Sequence, residues 1–195
     1  MLDSLPSGRK AGSMRRLLTI LALLPLLLIP AAHAAGDNYS DRLDALFLEL
    51  RDAPDSGFAV NIMEEIWSMW LNPDDPALAG RMTDVAVTSA NGDRKAALAM
   101  LDQIVIDYPN YAEGWNQRAT LYFTLGRLDD SLADIDRVLK LEPRHFGALA
   151  GRVMIYLRRG QHAEALREML AALKIHPYLS GREWFPELER NITHV

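Results

Sequence analysis

Glycine recurs at Gly92, Gly126 and Gly160 and proline at Pro109, Pro143 and Pro177, two independent series that both advance by 34 residues. Small residues keep the same step at Ala97, Ser131 and Ala165, aliphatic ones at Leu101, Ile135 and Met169, and aromatic rings recur at Tyr122 and Tyr156. A fixed period of this length means that one supersecondary unit is copied along the chain. Such a unit cannot bury its apolar face alone, so the copies must stack into a solenoid.

Within the most regular copy the residues specify two helices. Trp115, Ala119 and Tyr122 stand at i, i+4 and i+7, one stripe of a first helix on which the small residue lets a second helix approach. Gly126 ends that helix, because a residue without a Cβ accepts the left-handed conformation common just past a helix end. Asp129 and Asp130 favour the exposed N–H groups at the start of the second helix. Leu132, Ile135, Val138 and Leu139 form its buried stripe, and Pro143 stops it. The plan returns over residues 146–159 and 162–175. It returns less faithfully over 79–90 and 94–106, where Arg81 replaces the tryptophan and Thr88 the tyrosine.

The run from Trp115 through Ala119, Tyr122 and Gly126 to Ser131, Ile135 and Pro143 resembles the tetratricopeptide repeat (TPR) consensus nearly position for position. The resemblance covers residues 78–179 as three units, 78–111, 112–145 and 146–179, and implies an all-α helical-hairpin solenoid whose first helices line a concave groove. The family's groove positions map onto Met82 and Ala86, then Asn116, Thr120 and Phe123, then Ala150, Met154 and Leu157. Members that bind chaperone tails clamp a terminal carboxylate with basic and amide side chains. Here Met82, Ala150 and Gly151 stand at the corresponding basic positions, so that specialised role is not expected. A groove mixing apolar, amide and hydroxyl groups suits an amphipathic helix or an extended peptide from a protein partner, with Phe123 as its anchor.

Two flanking elements complete the chain. Leu43, Leu46, Phe47 and Leu50 make a helical stripe ending before Pro54, and Ile62, Ile66, Trp67 and Trp70 make a second after the turn at Asp55, Ser56 and Gly57. This pair, within residues 35–77, resembles a degenerate TPR-like hairpin and is expected to cap the solenoid end, since terminal units are atypical. Residues 180–195, with Trp184, Phe185 and Leu188, predict a short closing helix interrupted near Pro186. Residues 35–39 and 192–195 read as loose tails.

At the N-terminus, Arg15 and Arg16 precede an apolar run over residues 17–29, followed by Ala32, His33 and Ala34. A basic start, an apolar centre and a small-x-small site form a signal-peptide pattern, with cleavage after Ala34 and a periplasmic or secreted product. The alternative is retention as a tether in an envelope assembly complex, but Pro25 and Pro30 interrupt a stretch that a spanning helix needs intact. The start codon is Met1 or Met14. Cleavage removes four of the 21 basic residues and one of the 26 acidic ones, leaving a formal charge of −8. That sign disfavours nucleic acid and anionic membrane surfaces as partners.

The search for chemistry returns none: no catalytic set, cofactor or metal is expected. The chain has no cysteine, which excludes disulfides, thiol nucleophiles and thiolate metal sites. His145, His162, His176 and His194 lack metal-ligand spacing, and His145 and His176 read as inter-repeat loop residues. Asp129, Asp130, Asp134 and Asp136 read as helix capping and a hydrated face, with Asp130 and Asp134 as neighbours toward solvent. Neither a phosphate loop nor a nucleophile elbow is present.

Overall fold

The computed structural model describes residues 31–189, which form α-helices and one 3₁₀ turn with no strand among them. Eight helices run α1 Ala31–Arg51, α2 Ser56–Leu71, α3 Pro76–Ala90, α4 Arg94–Asp107, α5 Ala112–Thr124, α6 Leu128–Leu141, α7 Phe146–Arg158 and α8 His162–Leu173. A 3₁₀ turn at Arg182–Trp184 and one helical turn, α9, at Pro186–Glu189 close the described chain. Of the segment expected to be a signal peptide, residues 1–34, residues 1–30 lie outside the described residues and 31–34 begin α1; the tail after residue 189 also lies outside them. No helix among the described residues is long and apolar enough to cross a membrane.

The periodic residues do what their chemistry requires. Gly92, Gly126 and Gly160 hold φ of 84°, 75° and 70°, each just past the end of α3, α5 or α7. Pro109 and Pro143 lie two residues beyond α4 and α6, and Pro177 lies four beyond α8. Three aspartates cap helix starts: Asp55 accepts from the Phe58 amide, Asp75 from those of Ala77 and Leu78, and Asp93 from that of Ala96. Ala119 is buried where α5 meets α6, and its carbonyl accepts the Ser131 hydroxyl at 2.8 Å. That bond joins the two small residues of one repeat, so the close approach is both steric and polar.

Helix pairs α3–α4, α5–α6 and α7–α8 pack internally and then onto the next pair, the stacking of a helical-hairpin solenoid. Arginine ties the copies together. Arg118 on α5 donates back to Asp102 on α4 at 2.9 Å and forward to both carboxylate oxygens of Asp134 on α6 at 2.7 and 2.8 Å. One repeat later Arg152 on α7 reaches Asp136 on α6 at 3.3 Å and Glu168 on α8 at 2.6 Å. All three partners have moved by 34 residues. Asp134 is therefore buried and doubly bonded, which corrects its reading as a solvent-face neighbour of Asp130. The bidentate bond to Asp134 holds the Arg118 guanidinium well above its ordinary pKa, so this charge is permanent.

The N-terminal hairpin departs from the end-cap expectation. Leu43, Leu46, Phe47 and Leu50 of α1 and Ala59, Ile62, Ile66 and Trp70 of α2 belong to one buried cluster with Phe146, Leu149 and Val153 of α7 and Ala165, Met169 and Ala172 of α8. The core around Leu78, Met82, Val85, Ala97, Leu101 and Ile104 in the first repeat includes no α1 or α2 residue. The hairpin thus docks on the third repeat, because its aromatic stripe matches Phe146: the Trp67, Trp70 and Phe47 rings lie 5.4, 5.1 and 6.4 Å from it. Distant bonds pin it there, Arg144 to Asp44 at 2.6 Å and the Tyr178 hydroxyl to the Ala53 carbonyl at 3.2 Å. Residues 35–39 are part of α1 and not a loose tail. At the other end the closing segment is a 3₁₀ turn plus one turn of helix, with Phe185 fully buried.

Candidate interaction surface

Helices α3, α5 and α7 are the first helices of their pairs, and two hollows open between them. One, of about 140 Å³, lies between α5 and α7 and is lined by Asn116, Thr120, Phe123, Gly147, Gly151 and Met154, with Ala119 and Ile135 below. The other, of about 260 Å³, lies between α3 and α5 and is lined by Met82, Thr83, Val85, Ala86, Ser89 and Gln117, with Leu71 at the end of α2. Of the expected groove residues, Asn116, Thr120, Phe123 and Met154 are brought together in the first hollow. Met82 and Ala86 share the second. Leu157 and Ala150 line neither; both pack against the large cluster that α1 and α2 join.

The residues differ in what they can offer. Met154 is exposed at 36%, and Thr120 is exposed on the rim. Phe123 is half-buried, with the Arg158 guanidinium 5.4 Å over its ring and bonded to its carbonyl at 3.2 Å. Met82 and Asn116 are buried, so the expectation of two open contact positions is corrected: Met82 is core that forms a floor, and Asn116 is a bonded amide.

Asn116 is held by a network that sequence reasoning missed. Glu113 is 1% exposed and accepts from Asn116 Nδ2 at 3.0 Å, from Gln117 Nε2 and from His145 Nε2 at 3.1 Å. His145, fully buried, caps α7 by accepting the Ala148 amide on Nδ1 at 3.1 Å, which assigns its proton to Nε2. Its ring stacks on Trp70 at 4.1 Å with the planes 6° apart. Tyr111 donates to the Trp70 carbonyl at 2.8 Å, and burial together with the Glu113 charge pushes its phenol above the ordinary range. His145 lies in the loop between α6 and α7, as read from the sequence, and there its buried, bonded ring links the hairpin to the first helices. The signal available in the sequence was Glu113 and His145 flanking one repeat, 32 residues apart.

Gly147 has a local reason as well. A Cβ there meets the Trp67 ring at 2.7 Å, so glycine is the residue that admits the docked indole. The end of α2 thus borders this face, with Trp67 against Gly147 of α7 and Leu71 lining the α3–α5 hollow.

The chain is similar to several known proteins. The tetratricopeptide repeat family model matches residues 89–137 and 116–180. A TPR repeat-containing protein of Rhizobium etli is 35% identical across 85% of this chain and 89% of its own length. Tetratricopeptide repeat protein 34 of mouse is 37% identical over 31% of the chain, and its human counterpart 33% over 43%; the chain spans only 11% and 15% of those two proteins. Among solved structures, a crystal structure of MamA aligns with 75% of the chain and 93% of its own, at 14% identity and a TM-score of 0.47.

Proposed function

The chain belongs to the tetratricopeptide repeat family, whose solenoids are scaffolds for protein–protein interaction, and from that premise we propose that it is an exported, non-catalytic adaptor that holds a protein or peptide partner on the face of α3, α5 and α7. The observation that supports this reading is the pair of hollows on that face, side by side and reached by Phe123, Thr120, Met154, Ala86 and Leu71. Aromatic and methionine side chains at a concave surface supply most of the energy of such contacts. Export is supported by the basic, apolar and small-residue pattern before Ala35.

The test uses the solvent-facing members of the hollow. Replacing Phe123 and Met154 by alanine is expected to weaken capture of the partner from the native envelope fraction at least about tenfold, roughly 1.4 kcal/mol, with helicity retained. Asn116 is left intact because its removal strips a bond from buried Glu113. Unchanged capture moves the site to another face. Intact mass of the native protein decides the export reading: a chain beginning at Ala35 supports it, and one that keeps residues 17–29 and sediments with membranes favours the tethered subunit.

A further inference from the structure

The two hollows share a property that their neighbours lack: neither is lined by a charged residue. The hollows elsewhere on the molecule carry Asp44, Arg51, Arg144 and Lys174, or Asp74, Glu113 and Glu142. In a chain that is 24% charged, the linings of both hollows are uncharged, the nearest charges being Arg158 over Phe123 and the buried Glu113 behind Asn116 and Gln117. A charged group entering either hollow loses hydration and meets no counter-charge in its lining, so the part of the partner that enters is uncharged.

Hydrogen bonding then decides the partner's conformation. Most hydroxyls of this face are already bonded to backbone carbonyls: Thr83 donates to that of Ala79, Thr120 to that of Asn116 and Thr124 to that of Leu121, each on its own helix, and Ser131 of α6 donates to that of Ala119 on α5. The amides of Asn116 and Gln117 both turn toward Glu113. An extended peptide brings an unpaired N–H and C=O at every residue and needs partners for them when buried. This face has few to give. A helix satisfies its backbone internally and asks of the surface only room for side chains.

The dimensions agree. A cavity of about 150 Å³ accommodates a benzene ring, and the α5–α7 hollow of about 140 Å³ takes one group of that size. The hollows lie on either side of α5, a separation of one helix spacing, about 8–10 Å. Seven residues of α-helix rise about 10.5 Å and return to nearly the same face. Leu71, borne on α2, already shows a helix-mounted apolar side chain at the α3–α5 hollow.

We infer that the partner segment is an amphipathic α-helix that sets an uncharged apolar side chain of phenylalanine, leucine or methionine size into the α5–α7 hollow and a second, seven residues away, into the α3–α5 hollow. The inference rests on the proposal that this face is the binding site, and it adds the conformation, charge and spacing of what binds.

A random 18-residue peptide library displayed on phage, selected on the intact chain, tests it. Two variants are counter-targets. Gly151→Leu fills the α5–α7 hollow from a helical position where a Cβ meets only the Ile135 methyl at 3.4 Å, and it raises helix propensity. Thr120→Lys sets a cation on the exposed rim and keeps the test valid should Gly151→Leu fold poorly by circular dichroism. The expected winners bind the unaltered chain at least tenfold more tightly than either variant, lack proline, repeat apolar residues at i and i+7 and gain helicity on binding. Winners blocked by the variants but rich in proline, or bound without gaining helicity, overturn the helix and leave the binding face standing. Winners that bind the variants equally well, or no winner that discriminates, overturn the face itself.

Discussion

Asp134 and Asp136 lie two positions apart on α6 and have opposite fates, which makes them a test of how burial sets the energy of a charge. The Asp134 side chain is 6% exposed and accepts two bonds from Arg118; that of Asp136 is 59% exposed and accepts one long bond from Arg152. Asp134→Ala leaves a largely buried guanidinium with one partner, Asp102, and is expected to cost about 3 kcal/mol. Asp136→Ala is expected to change stability by less than about 0.5 kcal/mol. Ala119→Leu overpacks the α5–α6 contact and is expected to cost about 1–3 kcal/mol. Chemical denaturation of the three variants measures these values, and equal shifts for the two aspartates contradict the bonding described. His176 is a second residue-scale case: it is buried, and burial lowers its pKa in the folded state. The unfolded chain then binds the proton more readily, so stability is present above the unfolded value near 6.5 and falls as pH drops through it. The melting temperature of the unaltered chain is expected to fall more between pH 7.5 and 5.5 than that of His176→Gln, and parallel curves contradict it.

Helices α1 and α2 are neighbours of α3 in sequence and of α7 and α8 in space. Because they share one apolar cluster with α7 and α8 and contribute nothing to the core of the first repeat, their opening should be cooperative with the third repeat. Native-state hydrogen exchange is expected to show the α1–α2 amides merging with those of α7–α8 as denaturant rises, while α3–α4 follows a separate isotherm. Exchange of α1–α2 in step with α3–α4 contradicts this docking. The arginine links make a complementary point, since Arg118 and Arg152 each join the second helix of one repeat to that of the next. Their outer partners, Asp102 and Asp136, are half exposed and contribute little; the buried inner arms carry the energy.

A simple solenoid touches only its neighbours, so its stability is close to a sum of local terms. Here a hairpin from the start of the described chain returns to the third repeat and adds contacts across more than a hundred residues, as between Tyr178 and Ala53. A chain beginning at Pro76 is expected to expose Phe146, Leu149 and the adjoining faces of α7 and α8, to bind hydrophobic dye and to unfold over a broader transition than the full chain. A truncated chain that melts as sharply and at the same temperature contradicts that closure. The same hairpin shapes the face of α3, α5 and α7, because Trp67 occupies the space above Gly147 and Leu71 reaches the α3–α5 hollow.

What could be read from the residues alone was everything governed by local rules: the 34-residue step, the helix ends at Gly92, Gly126 and Gly160, the stops at the prolines, the stripes through Ala119 and Ile135, and the family resemblance they compose. Local chemistry decides these, since φ limits, side-chain spacing and capping act within a few residues. The 34-residue recurrence of Asp102, Arg118 and Asp134 was equally present in the sequence, but a charge series reads as surface until a structure shows which members face inward. Three features belonged to the tertiary structure alone: the burial of Glu113 against His145, the docking of α1–α2 on α7–α8, and the division of the expected groove into floor, rim and hollow. Each depends on which apolar faces meet, and an apolar stripe such as Ile62, Ile66 and Trp70 states that it must be covered without stating by what. Only the folded chain, by placing Phe146 opposite that stripe, decides it.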